Sequence, residues 1–139
     1  MYETYIFDLY GTLIDIETDE EDPVVWERLA LHYRYAGMKA EGQALNAAVL
    51  EASERQLAAG KARFECPEFV MEQSFGDAAR QLGGQPTAAW LNETVRWLRT
   101  LSMRKLALYD GADELLESLR AAGKKLYLLS NGQRTFDSR

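Results

Sequence analysis

The chain is 139 residues long, enough for one good hydrophobic core but thin if split between two layers. With 47% hydrophobic and 27% charged residues it has the makeup of a folded globular protein, and a net charge of −6 argues against a broad surface that neutralises nucleic-acid phosphates. No apolar run reaches the ~18–20 residues that cross a bilayer, and the start lacks the basic-then-apolar order of a secretory signal, so a cytoplasmic protein without membrane or nucleic-acid partners is expected. A single cysteine, Cys66, permits neither an internal disulfide nor a cysteine metal cluster and is read as structural.

In chain order, the apolar run Tyr5-Ile6-Phe7 predicts a strand that stops at Asp8, followed by Leu9-Tyr10-Gly11-Thr12-Leu13. Gly11 predicts a turn whose backbone can approach a ligand, and Thr12 adds a hydroxyl to the same loop. A carboxylate at a strand end is where open α/β sheets do chemistry. The acidic stretch from Glu17 to Asp22, closed by Pro23, predicts an exposed linker entering a helix.

From Val24 to about Ser102 the periodicity is helical. The first helix turns Val25, Leu29, Tyr33 and Ala36 to one side and stops near Gly37; the second offers Leu45, Ala48, Val49 and Ala52 before Gly60. A third runs from about Pro67 to Leu82, with Met71, Phe75, Ala78, Ala79 and Leu82 in phase, and Gly83-Gly84 with Pro86 ends it. The fourth carries Leu91, Val95 and Leu98, flanked by Trp90, Trp97 and Leu101, a wide apolar face that closes a small bundle. Trp26, Trp90 and Trp97 are read as packing residues, His32 as structural, and Arg28 and Arg34 as surface charges.

Beyond Arg104-Lys105, the short apolar piece Leu106–Tyr109 leads to Asp110-Gly111 and another helix. Asp110 is its expected N-cap, Asp113 and Glu114 suit its positive start, Leu115, Leu116 and Leu119 form its buried stripe, and Gly123 marks its stop. A second main strand, Leu126-Tyr127-Leu128-Leu129, then runs into Ser130-Asn131-Gly132. Helix-then-strand at this spacing is half of a βαβ unit, so the first and last apolar strands are expected to be parallel neighbours.

Phe7-Asp8-Leu9-Tyr10-Gly11-Thr12-Leu13, a helical insert, and Leu128-Leu129-Ser130-Asn131-Gly132 together resemble the haloacid dehalogenase (HAD)-like hydrolase superfamily over nearly the whole chain. The resemblance implies an α/β fold: a partial Rossmann-like parallel core, residues 1–16 and 104–139, with an inserted α-helical bundle cap, residues 17–103. It implies Asp8 as nucleophile and Ser130 at the second motif, with Tyr10 and Thr12 as further catalytic positions and Gly11 and Asn131 binding substrate. In phosphoryl transfer the carboxylate forms an acyl-phosphate that water later hydrolyses, and backbone N–H groups around Tyr10 and Gly11 with the Thr12, Ser130 and Asn131 side chains meet the growing charge. Magnesium (Mg2+) fits as an oxygen-seeking ion, and the resemblance implies the Asp8 carboxylate and the Tyr10 carbonyl as its protein ligands.

Three functions are carried forward. The first is a phosphatase-like hydrolase of a small phosphorylated metabolite. The second is a metal-independent 2-haloacid dehalogenase, because Tyr10 stands where the family's phosphatases usually place a second aspartate, and a phenol with an ordinary pKa near 10 is a poor substitute. The third is a non-catalytic protein retained for partner association. In the family a lysine motif and a later acidic motif lie downstream of the second motif; Lys105, Lys124 and Lys125 precede Ser130 and do not match. The expectation is therefore a shortened hydrolase of weak or lost activity, or a homo-oligomer in which another chain completes the sheet.

Overall fold

The computed structural model describes residues 2–132. Its elements are β1 (Thr4–Phe7), β2 (Ile14–Thr18), α1 (Pro23–Tyr35), α2 (Gly42–Gly60), α3 (Met71–Gln81), α4 (Ala88–Ser102), β3 (Met103–Leu108), α5 (Ala112–Ala121) and β4 (Lys125–Leu128). They divide into two compact units. One comprises the chain up to Asp19 and again from Met103 onward; the other is Glu20–Ser102.

In the first unit β1 and β4 pair in parallel, Thr4 opposite Lys125 through to Phe7 opposite Leu128, as the βαβ pattern predicts. Backbone bonds from Lys125 N to Glu3 O (2.9 Å) and from Leu129 N to Phe7 O (2.8 Å) extend the ladder at both ends. A second, antiparallel pair departs from the expected linker. Glu17 and Thr18 belong to β2, which pairs with β3 from Ile14 opposite Leu108 to Thr18 opposite Met103, with an irregularity between Glu17 and Thr18. The linker proper is thus shorter than the acidic stretch. The alternation of Ile14 and Ile16 with Asp15 and Glu17 is a two-residue period, which suits a strand facing Leu106 and Leu108.

The α5 start also differs from expectation. Gly111, at φ 79°, is the N-cap and makes no side-chain cap bond, so Asp110 does not cap the helix. The chain turns through Ala112 N to Tyr109 O (3.0 Å), and the left-handed conformation that this turn needs favours glycine over aspartate. Of the predicted buried stripe, Leu115 is 48% exposed, while Ala112 is the residue of α5 that is buried. A sheet of two strands is too narrow to cover the helix that lies on it.

The second unit is a four-helix bundle with a real core. The Asp22 carboxylate accepts from Val24 N (2.8 Å) and Pro23 opens α1, two favourable starts combined. Val25, Trp26, Leu29, Ala30 and Tyr33 are then buried, and so are, among other residues of the bundle, Leu45, Val49 and Ala52 of α2, Phe75, Ala78 and Ala79 of α3, and Val95 and Leu98 of α4. The Tyr33 hydroxyl donates to Phe75 O (3.0 Å), so the largest fully buried side chain is also satisfied, and burial pushes its phenol pKa up. Gly37, at φ 86°, lets Met38 N bond back to Tyr33 O (3.1 Å) and ends α1 as predicted.

The third helix starts at Met71 rather than near Pro67. Gln56 of α2 holds the preceding residue from both sides: its amide oxygen accepts from Val70 N (2.9 Å) and its nitrogen donates to Val70 O (3.2 Å) and to Ser74 Oγ (2.9 Å). That grip keeps Val70 extended and delays the helix. Cys66 lies in the same irregular stretch and is exposed, not part of a core. Arg28 and Arg34 are exposed, as read from the sequence. Among the described residues no helix is long and apolar enough to cross a membrane.

Candidate active site

β1 ends at Phe7, and the next residue, Asp8, is exposed with its carboxylate at the strand tip. Residues 9–14 then wind into a tight loop. The Leu9 carbonyl accepts from Thr12 N (3.4 Å), Leu13 N (2.9 Å) and Ile14 N (2.9 Å), while Gly11 N donates to Ile14 O (2.8 Å). Gly11 sits at φ 80°, in the left-handed region where a β-carbon is strained, which explains why the loop needs glycine there. The loop folds back so that Thr12 Oγ1 lies 3.5 Å from Asp8 Oδ2.

The N–H groups of Gly11, Thr12, Leu13 and Ile14 all bond to carbonyls within the loop. Tyr10 bridges to Ile14 across the same loop. Leu13, buried, pins the loop from below, and its carbonyl accepts from Tyr109 N (3.1 Å), so the end of β3 holds the loop in place. Neither Leu13 nor this β2–β3 support stands out as functional in the sequence; the alternating isoleucines were the available signal.

The second motif comes to the same edge. Because β1 and β4 run parallel and Leu129 N bonds to Phe7 O, Asp8, next after β1, and Ser130, two residues after β4, leave the sheet at the same end. Ser130 is half-buried, and its Oγ accepts from Gly132 N (3.0 Å), a local turn that orients the side chain while its own O–H still carries a proton to donate. Asn131 is exposed beside it. Asp8, Tyr10, Gly11, Thr12, Ser130 and Asn131 thus all lie on the two chain segments that leave this one sheet end. Lys105 pairs with Asp15 across β2 and β3, and that hydrogen bond, then the carboxylate's charge, raises the pKa of its ammonium.

For a divalent ion the relevant oxygens are the Asp8 carboxylate and the Tyr10 carbonyl. Among the described residues no group of three or more His, Cys, Asp or Glu side chains could hold a metal. A hard cation that keeps several waters and takes one carboxylate, a carbonyl and substrate oxygens is compatible with such a donor set; a zinc-like site of nitrogen and sulfur ligands is not.

Comparison with known proteins gives a family match over residues 2–138, described as haloacid dehalogenase-like hydrolase. No curated protein matches the chain. Among solved structures, a predicted phosphoglycolate phosphatase from Haemophilus somnus 129PT is similar at 18% identity, with a TM-score of 0.35, over 94% of this chain and 52% of that one. The chain therefore spans about half the length of that structure. Its helical bundle, short parallel strand pair and family match agree with the partial α/β core and helical insert expected from the motifs, and the chain belongs to the haloacid dehalogenase-like hydrolases.

Proposed function

We infer that this chain carries the nucleophile-bearing part of a cytoplasmic, magnesium-dependent phosphatase of small phosphorylated metabolites, with the helical unit acting as a cap that screens substrates. The reading is supported by one observation above all: Asp8 and Ser130 follow parallel, hydrogen-bonded strands and leave the sheet at the same end. An Asp8 oxygen attacks phosphorus, the bond to the leaving oxygen breaks, and the acyl-phosphate so formed is hydrolysed by water. The Thr12 and Ser130 hydroxyls and the Asn131 amide donate to the phosphoryl oxygens, a task that the committed N–H groups of the loop leave to them. Asp8 and the Tyr10 carbonyl would hold magnesium, which when bound would shield the carboxylate from the phosphate's like charge.

Tyr10 favours a second reading. Two residues after Asp8 a phenol replaces the carboxylic acid that would protonate a leaving alkoxide, whereas displacement of halide from carbon requires no such proton. A 2-haloacid dehalogenase working without metal is therefore the alternative.

The two are separated by assaying phosphate release from a panel of small phosphate esters with magnesium, and halide release from 2-haloacids with chelator. Asp8→Asn is expected to lower whichever turnover is found by about 10³-fold or more. Because a slow chain could hide the difference, acid-quenched protein is also weighed after exposure to a small phosphoryl donor. Wild type gains one phosphoryl group and Asp8→Asn gains none. Equal turnover and equal labelling in both proteins would remove Asp8 as nucleophile.

A further inference from the structure

The sequence reads His32 as structural, but its surroundings are more particular than a generic core contact. Its imidazole stacks on Trp90 at 4.7 Å between centroids and 8° between planes, and on Trp97 at 5.8 Å and 19°. Its Nε2 lies 2.9 Å from Thr94 Oγ1. Trp90, Thr94 and Trp97 are successive turns of one face of α4, so a single side chain of α1 is gripped by a helical strip from its neighbour.

Proton bookkeeping settles the ring's state. The Thr94 hydroxyl has one proton, and it goes to Trp90 O at 2.8 Å. Thr94 Oγ1 must therefore accept from His32, which puts a proton on Nε2 and leaves Nδ1 as the atom that a further proton would occupy. A neutral ring satisfies every partner in the grip. A cationic ring keeps the Thr94 bond and gains attraction to the indole faces and to Glu93, but gives up hydration of a full charge.

We propose that the His32–Trp90–Thr94–Trp97 cluster is a proton-sensitive clasp between the first and last helices of the bundle, closed while the imidazole is neutral and loosened when Nδ1 is protonated. These two helices are the ones through which the chain enters and leaves the bundle, at Glu20 and Ser102. The groups around the ring are few. Glu93 on α4 is the charge that acts on it; Tyr33 on its own helix meets it edge-on at 6.4 Å; the buried residues of α2 and α3 include no titratable side chain. Burial lowers the imidazole's pKa from its ordinary 6.5, and Glu93 opposes this only in part.

The sign of the effect follows. Above 6.5 the ring is neutral folded and unfolded, and the clasp contributes fully. As pH falls through 6.5 the unfolded chain takes the proton first, so stability is lost progressively until the folded-state pKa has been passed. His32 is the only histidine, so its ring signals in an NMR titration need no assignment. The expected result is a midpoint below 6.5 that coincides with a change in tryptophan fluorescence and with faster amide exchange in α1 and α4. Wild type is expected to fall in Tm between pH about 7.5 and about 5.5, and His32→Gln to lose that fall. Should that variant fail to fold, the wild-type titration alone decides. A midpoint at or above 6.5, or protonation with no change in α1 and α4 exchange, overturns the clasp.

Discussion

At the scale of single residues, the site turns on what each atom has already given away. Gly11 reads in the sequence as a place where backbone approaches a ligand, and its left-handed φ agrees, yet its N–H is bonded to Ile14 O. The position was legible because only one residue type suits that conformation; the committed donor was not, because hydrogen-bond partners are a property of the folded loop. Tyr10 is the opposite case, a departure visible in the sequence whose consequence is chemical. If the chain is a phosphatase limited by the missing acid, Tyr10→Asp raises turnover of alkyl phosphates by about 100-fold and changes turnover of aryl phosphates little, since a phenolate leaves without a proton. Equal effects on both ester classes would show that Tyr10 does not stand at the leaving group. Asp110, expected as a cap, failed for a local reason: the turn into α5 required a positive φ at the cap, and Gly111 supplies it.

At the scale of elements, the bundle helices follow their sequence periods closely because each has a full apolar stripe and its own punctuation. Pro23 and Gly37 bracket the first, and Gly60 closes the second. Where the structure departs, a side chain from elsewhere in the chain intervenes, as Gln56 does at Val70. Gly42 shows the same long-range control. It opens α2 against α1, where an added β-carbon would lie 2.6 Å from Glu27 Oε1 and 2.8 Å from Glu27 N, and its N–H donates to that Oε1 at 3.1 Å. Gly42→Ala is therefore expected to destabilise by about 1–3 kcal/mol, through displacement of the Glu27 side chain and backbone, despite alanine's better helix propensity. Urea unfolding checks it: the midpoint falls, whereas an unchanged or higher midpoint would mean that the two helices part without cost.

At the scale of the molecule, the two units are unequally built. The bundle buries Val25, Leu29, Tyr33, Leu45, Phe75 and Val95 almost completely, each worth about 1.5–3 kcal/mol of transfer free energy, whereas the α/β unit buries Leu13 and Ala112 among its described hydrophobic residues. Its strands leave Ile6 64% and Tyr127 57% exposed. Native-state hydrogen exchange should accordingly show α1–α4 amides opening only with global unfolding, and β1 and β4 amides opening at much lower free energy. Uniform protection would contradict the imbalance. What the sequence by itself determined was local: the carboxylate at the end of the first strand, the glycine turn after it, four amphipathic helices, and the second motif at the end of a strand that follows a helix. These are written in period and residue type over a few consecutive positions. Only the tertiary structure decided which segments pair, that Ile14–Thr18 is a strand because Met103–Leu108 lies beside it, which loop N–H groups are committed, and that His32 is gripped by three side chains of another helix. Those outcomes depend on partners distant in the chain, and no short window of residues contains both halves of such a contact.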